Sequence, residues 1–255
     1  MIFTLSPGTE AAWRGIGQFT FPRRADTMPS MLFSDARNGP SETLVADLRD
    51  YPEWHRGRVR YGLWLAPVMD EALHGYVAAV RQQLSDWLHP MPQRQLHLTL
   101  FVCGFEQPTS GADDDFTPAQ LRRQIEQLDR EPGARCVLPL GPVDSFATAA
   151  FIPVGDPQGR LSRWRHALGG AGREIRQAAY VPHITLGLYR RKLTGEQVRA
   201  RLRDIDSPPR SLTVSELHYA TYNAQAHFGP LESHHRMALP AVTGCVGPLD
   251  CLVME

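Results

Sequence analysis

Lysine is almost absent. Lys192 is the only one among 27 basic residues, and the other 26 are arginine. The 27 acidic residues cancel them, leaving a formal net charge of zero. A chain without a positive excess is not built to grip long duplex DNA through a broad basic surface. A chain without an acidic excess is not a solvating tail. Four cysteines are scattered with no Cys-x-x-Cys pair, which argues against a disulfide framework and a thiolate zinc site. No run approaches the ~18 apolar residues of a membrane-spanning helix. The first residues lack a basic segment followed by an apolar run, so no secretory signal is expected and the cytoplasm is the expected compartment.

What remains is an ordinary globular composition, 42% hydrophobic and 21% charged over 255 residues. That length allows one large domain or two lobes. Residues 1–58 are rich in turn formers, with a short strand expected at 17–21 and a short helix at 41–48 behind Ser41; they read as an irregular arm. The main body runs from 59 to 239 and a tail from 240 to 255. Residues 61–66 form an apolar strand closed by Pro67. Leu73, Val77, Val80, Leu84 and Leu88 recur at helical spacing, predicting a helix over 70–89 that Pro90 stops. Further expectations are strands at 95–103, 136–140, 145–154, 180–189, 211–222 and 230–238. Helices are expected at 117–129 behind a Thr117 cap, at 159–177 with glycine interruptions, and at 195–203. The order strand, helix, strand over 61–103 returns over 151–189. A period of 86 residues is too long for a solenoid and suggests two pseudo-equivalent lobes.

Both units close on the same small pattern. One reads Leu96-His97-Leu98-Thr99-Leu100, the other Pro182-His183-Ile184-Thr185-Leu186. Residues two apart on a strand share a face. His97 and Thr99 therefore point together, away from Leu98 and Leu100, and His183 and Thr185 point away from Ile184 and Leu186. By composition His-x-Thr should arise roughly half a time per chain of this size, so two copies at equivalent places are informative. Near neutral pH one imidazole can accept a proton while another donates one. Phosphodiester cleavage needs that combination, and threonine hydroxyls can hold the non-bridging oxygens where charge grows. No Asp, Glu or Cys stands at ligand spacing around either motif, so no metal is expected. No glycine-rich phosphate loop with its lysine is present, so neither ATP dependence nor any other cofactor is expected.

With these motifs the sequence resembles the 2H phosphoesterase superfamily, and within it the bacterial 2′-5′ RNA ligase-like and RNA 2′,3′-cyclic phosphodiesterase group. The likeness spans roughly residues 59–239. It also draws on Glu216-Leu217-His218-Tyr219 and on Gly229-Pro230 before the last strand. It implies an α+β, bilobal, pseudo-twofold fold, with two antiparallel sheets lining a central cleft and helices outside. His97 and His183 would be the catalytic acid/base pair, and Thr99 and Thr185 the phosphate-binding residues. The implied partners are RNA ends or small nucleotides bearing a cyclic phosphate, with no membrane and no long-duplex DNA; a monomer is expected. Alternatives are a non-catalytic nucleotide binder, or a phosphoesterase acting on ADP-ribose cyclic phosphate or 2′-5′ oligoadenylate. Relatives often carry an aromatic after the late glycine pair, where Leu231 stands here.

Three further residues are candidates for substrate contact. Phe101 and Tyr189 fall on the faces of His97 and His183 by alternation, and Arg190 follows the second motif. His234 and His235 point to opposite faces and read as surface, the tryptophans as packing, and Asp113-Asp114-Asp115 as a solvated turn. The zero net charge is unevenly spread: residues 156–203 hold ten Arg and one Lys against three acids. This surrounds the second motif with a local basic lip, and predicts RNA-end binding that weakens modestly with salt.

Overall fold

The computed structural model describes residues 32–91, 93–175, 179–226 and 228–241. The strand expected at 17–21, Trp13, Cys245, Cys251 and the tail beyond 241 lie outside these residues.

The sheet is built around two strands that are buried on both faces. β1 (Arg60–Pro67) and β2 (His97–Glu106) are buried along nearly their whole length and pair antiparallel. On its other side β1 pairs with β9 (Glu216–Asn223), and β9 with β10 (Glu232–Ala238). The second lobe supplies β7 (His183–Leu188), which pairs with β6 (Ala149–Pro153), and β6 pairs with the two-residue β5 (Asp144–Ser145). The two half-sheets meet at β2 and β7 through one antiparallel pair, Leu98↔Ile184. A short β3 (Asp115–Phe116) runs parallel to the end of β2, and β4 (Cys136–Leu140) with β8 (Arg210–Val214) makes a separate two-stranded sheet. The fold is thus α+β with antiparallel sheets, as the family resemblance implies.

The helices are α1 (Pro52–His55), α2 (Glu71–Gln83), α3 (Pro118–Arg130), α4 (Arg160–Gly169) and α5 (Gly195–Arg203). Their starts follow from local chemistry. The Asp70 carboxylate accepts from the amides of Ala72 and Leu73 at the head of α2. Thr117 and Thr194 form reciprocal capping boxes with Gln120 and Gln197 at the heads of α3 and α5. Leu73, Val77 and Val80 of α2 and Leu161, Trp164 and Leu168 of α4 bury one stripe each against Trp64, Leu98, Leu100, Ile184 and Leu186. A second apolar cluster, Tyr61, Leu63, Leu65, Val102, Phe105 and Tyr222, covers the other face of the first half-sheet.

Several expected boundaries change. Residues 41–48 are extended, not helical: the amides of Thr43, Leu44 and Ala46 donate to the carbonyls of Leu193, Ala147 and Tyr189, so the second lobe takes the bonds a helix would have kept. The stretch 145–154 is a hairpin, closed by a bond from the Phe146 amide to the Ala149 carbonyl at 3.0 Å. The stretch 211–222 is two strands, β8 and β9, in different sheets. α2 stops at Gln83, and Leu88 bridges to Tyr189 instead of closing a fifth turn. α4 stops at Gly169, at the first of the three glycines.

Candidate active site

The two motifs occupy equivalent places. His97 lies opposite Pro67 and Thr99 opposite Leu65 on β1. His183 lies opposite Pro153 and Thr185 opposite Phe151 on β6. Leu98, Leu100, Ile184 and Leu186 are fully buried in the main core, which turns the histidines and threonines to the other face. The register through Leu98↔Ile184 sets His97 across from Thr185 and Thr99 across from His183. The histidines are then diagonal neighbours, with α-carbons about 8 Å apart by strand geometry.

Each imidazole is held in the same way. Nδ1 of His97 lies 2.8 Å from the carbonyl of Gln95, and Nδ1 of His183 lies 2.6 Å from the carbonyl of Val181, two residues back in both cases. A carbonyl oxygen only accepts, so both Nδ1 atoms carry the proton and Nε2 is the atom that exchanges one. Burial lowers the His97 pKa to about 3, and the Arg94 and Arg81 guanidiniums add to the repulsion of its proton. The Thr99 hydroxyl is buried and has no hydrogen-bond partner among the described residues. Leaving such a group unpaired costs about 1–3 kcal/mol, which marks it as a donor waiting for an acceptor.

Past their single pair, backbone groups of β2 and β7 bond to side chains of the opposite lobe. Arg81, from α2, donates through Nε to the Leu186 carbonyl at 2.8 Å, and its Nη2 lies 3.4 Å from the Thr185 carbonyl. Arg165, from α4, donates through Nη1 to the Leu100 carbonyl. Leu100 and Leu186 each stand three residues past the motif histidine, so the two arginines are reciprocal. Around Arg165, Tyr180 donates its hydroxyl to the Thr99 carbonyl at 2.9 Å, and Glu174 accepts from the Val102 amide at 3.1 Å.

The three candidate substrate contacts fare differently from the motifs. A β-bulge pairs Leu65 with Thr99 but Trp64 with Phe101, so alternation breaks at Leu100 and Phe101 turns to the Trp64 face. It is buried in the main core and has no access to the His97 face. Tyr189 is also corrected. It is fully buried, its hydroxyl lies 2.7 Å from Ser145 Oγ, and burial raises its pKa to about 12. Arg190 is exposed and donates to the Asp86 carbonyl at 3.3 Å. It lines a cavity of about 590 Å³ beside α2, with Arg81, Arg94, His74 and His89, and no carboxylate among the described lining residues. The basic lip expected around the second motif is thinner than the count suggests, because Arg165 pairs with Glu174, Arg201 with Asp86 and Lys192 with Glu42.

Asp114 and Asp115 are not a solvated turn. Both hold Arg58, at 2.5 and 2.8 Å, and tie the end of the arm to the body. His234 is exposed, while His235 is half-buried edge-on to Trp64. Trp64, Trp87 and Trp164 are buried packing residues, as expected. Of two further residues near the site, His218 entered the sequence reading only within a segment of the family resemblance, and Phe146 carried no signal. His218 lies across Leu65 from Thr99, with Nδ1 3.0 Å from Ser233 Oγ and Nε2 3.0 Å from Glu216. Phe146 stands edge-on to His183. Among the described residues no three His, Cys, Asp or Glu gather as a metal site, and no helix is long and apolar enough to cross a membrane.

Two antiparallel half-sheets with a His-x-Thr motif on each side of their seam define the architecture of a two-histidine phosphoesterase. The model of the 2′-5′ RNA ligase superfamily matches residues 69–226, and the chain belongs to that family. Membership brings an activity of the phosphodiesterase or ligase type. No curated protein matches by sequence. Among solved structures, apo E. coli LigT is similar at a TM-score of 0.50 and 16% identity, covering 72% of this chain and 99% of LigT. E. coli LigT complexed with 3′-AMP gives 0.46 at 14%, covering 71% and 98%. Kluyveromyces marxianus Usb1 gives 0.44 at 12%, covering 72% and 98%.

Proposed function

We propose that the chain opens 2′,3′-cyclic phosphates at RNA or nucleotide ends, with His97 and His183 as the acid/base pair. The observation that carries this is the mirrored pair of Nδ1–carbonyl bonds, which leaves Nε2 on each ring to exchange a proton on the face shared with Thr99 and Thr185. One imidazole takes a proton from water as its oxygen attacks phosphorus. The bond from phosphorus to O3′ breaks, and the other imidazolium gives its proton to O3′. A 2′-phosphate and a 3′-hydroxyl remain. The two threonine hydroxyls donate to the non-bridging oxygens as charge builds there, and the buried Thr99 hydroxyl, unpaired among the described residues, fits that task. A 5′-hydroxyl in place of water gives a 2′-5′ linkage by the same transfers, so hydrolysis and joining are one chemistry. The two imidazoles supply all the proton transfers, so the step calls for no metal.

The test is turnover of a 2′,3′-cyclic nucleotide in the presence of a chelator by the wild type, His97→Ala and His183→Ala. Each substitution is expected to lower kcat by about 10²–10⁴-fold. Near-wild-type turnover by either variant refutes the pairing. Saturable binding of the cyclic nucleotide without turnover by the wild type would favour a non-catalytic binder. Preference for an ADP-ribose cyclic phosphate or a 2′-5′ dinucleotide in the same assay would move the substrate away from RNA ends.

A further inference from the structure

Phe146 sits in the turn of the β5–β6 hairpin. Its ring stacks on Phe151, with centroids 4.3 Å apart at 29°, and meets the His183 imidazole edge-on at 5.2 Å and 78°. Phe151 lies 5.1 Å from the same imidazole and pairs with Thr185 across β6 and β7, so both phenyl rings are on the face of the second motif. Phe151 is fully buried, whereas Phe146 is half-buried.

The turn that carries this ring is tied down from several sides. The Phe146 amide donates to Ala149, and the Ser145 hydroxyl lies 2.7 Å from the Phe146 carbonyl and 2.9 Å from that of Ala149. The Asp144 carboxylate accepts from the Ser145 amide and from the amide and hydroxyl of Ser34. The Leu44 amide donates to Ala147. An aromatic ring fixed before the ligand arrives loses little freedom when something stacks on it.

We propose that Phe146 is a platform for the nucleobase of the substrate, stacked while the attached phosphate lies between His97 and His183. The proposal rests on the cyclic phosphodiesterase reading above. It makes the substrate a nucleotide rather than any cyclic phosphodiester, and it is tolerant of base identity because every base has a π-face.

The experiment compares kcat/KM of the wild type, Phe146→Ala, Phe146→Leu and Phe146→Tyr on two substrates, 2′,3′-cyclic AMP and base-free ribose 2′,3′-cyclic phosphate. Phe146→Ala and Phe146→Leu are expected to lose about 5- to 150-fold on the nucleotide and to change little on the base-free sugar. Phe146→Tyr retains the planar face and keeps both activities. Leu fills the space without a π-face, so its result holds even where the Ala variant folds poorly. Equal losses on both substrates overturn the proposal, because the ring then only supports His183. A wild type that turns over both substrates equally well overturns it too. A wild type that turns over neither removes the cyclic phosphodiesterase reading and the platform with it.

Discussion

Arg165 offers the sharpest test of how the two lobes are held at the seam. Its guanidinium reaches Glu174 at 2.5 and 3.2 Å, caps the Leu100 carbonyl, and lies 3.8 Å from the centroid of the Tyr180 ring. The two charged side chains are only 19% and 11% exposed, so the carboxylate depends on this partner. Arg165→Met keeps much of the side-chain length and removes the charge. It strands Glu174 in a mostly dry place, for which breaking a buried pair suggests a loss of about 3 kcal/mol. Glu174→Gln keeps an acceptor for the Val102 amide and should cost about 1–2 kcal/mol. In the double variant the stranded charge is gone, so its loss should fall short of the sum of the two single losses by about 2 kcal/mol. Urea unfolding of all four proteins measures the cycle. In parallel, kcat for Arg165→Met on the cyclic nucleotide should drop by about 10²-fold, because Thr99 lies one residue from the released carbonyl and small displacements at a reacting centre are costly. Losses that add to within about 0.5 kcal/mol would show that the pair does not act as a unit and refute the reasoning.

Two further outcomes follow from single residues. In the fold His97 is neutral down to about 3, whereas the unfolded chain titrates at the ordinary 6.5. Its contribution is intact above the unfolded value and is lost as pH falls, because the unfolded chain binds the proton the fold refuses. From about pH 7 to about pH 5 this group removes about 2 kcal/mol, read from urea midpoints, and His97→Gln should lose that part of the acid sensitivity. The same drop in the variant would contradict it. Gly104 has φ +110°, and a Cβ there would stand 2.3 Å from the Asp114 carbonyl oxygen. Gly104→Ala should therefore cost about 2–3 kcal/mol in the same assay, and a neutral result would mean that the strand end relaxes freely.

The motifs were legible because their geometry is local. Two residues apart on a strand means one face, and the fully buried Leu98, Leu100, Ile184 and Leu186 leave the other face to His97, Thr99, His183 and Thr185. The α3 cap at Thr117 and the lobe repeat were readable for the same reason. Alternation failed at Phe101 and at Tyr189 for one reason: an extra residue, Leu100 in β2 and Leu186 in β7, turns each chain over. The run 41–48 lost its helix to carbonyls of the second lobe more than 100 residues away.

By itself the sequence determined that His97 shares a strand face with Thr99, and His183 with Thr185, and which way each motif faces, since periods of two and of three to four residues arise from neighbouring backbone alone. The tertiary structure decided what surrounds them: Arg81 and Arg165 reaching into the opposite lobe, Asp114 and Asp115 on Arg58, and Phe146 beside His183. Those contacts join residues dozens of positions apart, and no local period encodes a pairing that exists only once the two half-sheets meet at Leu98 and Ile184.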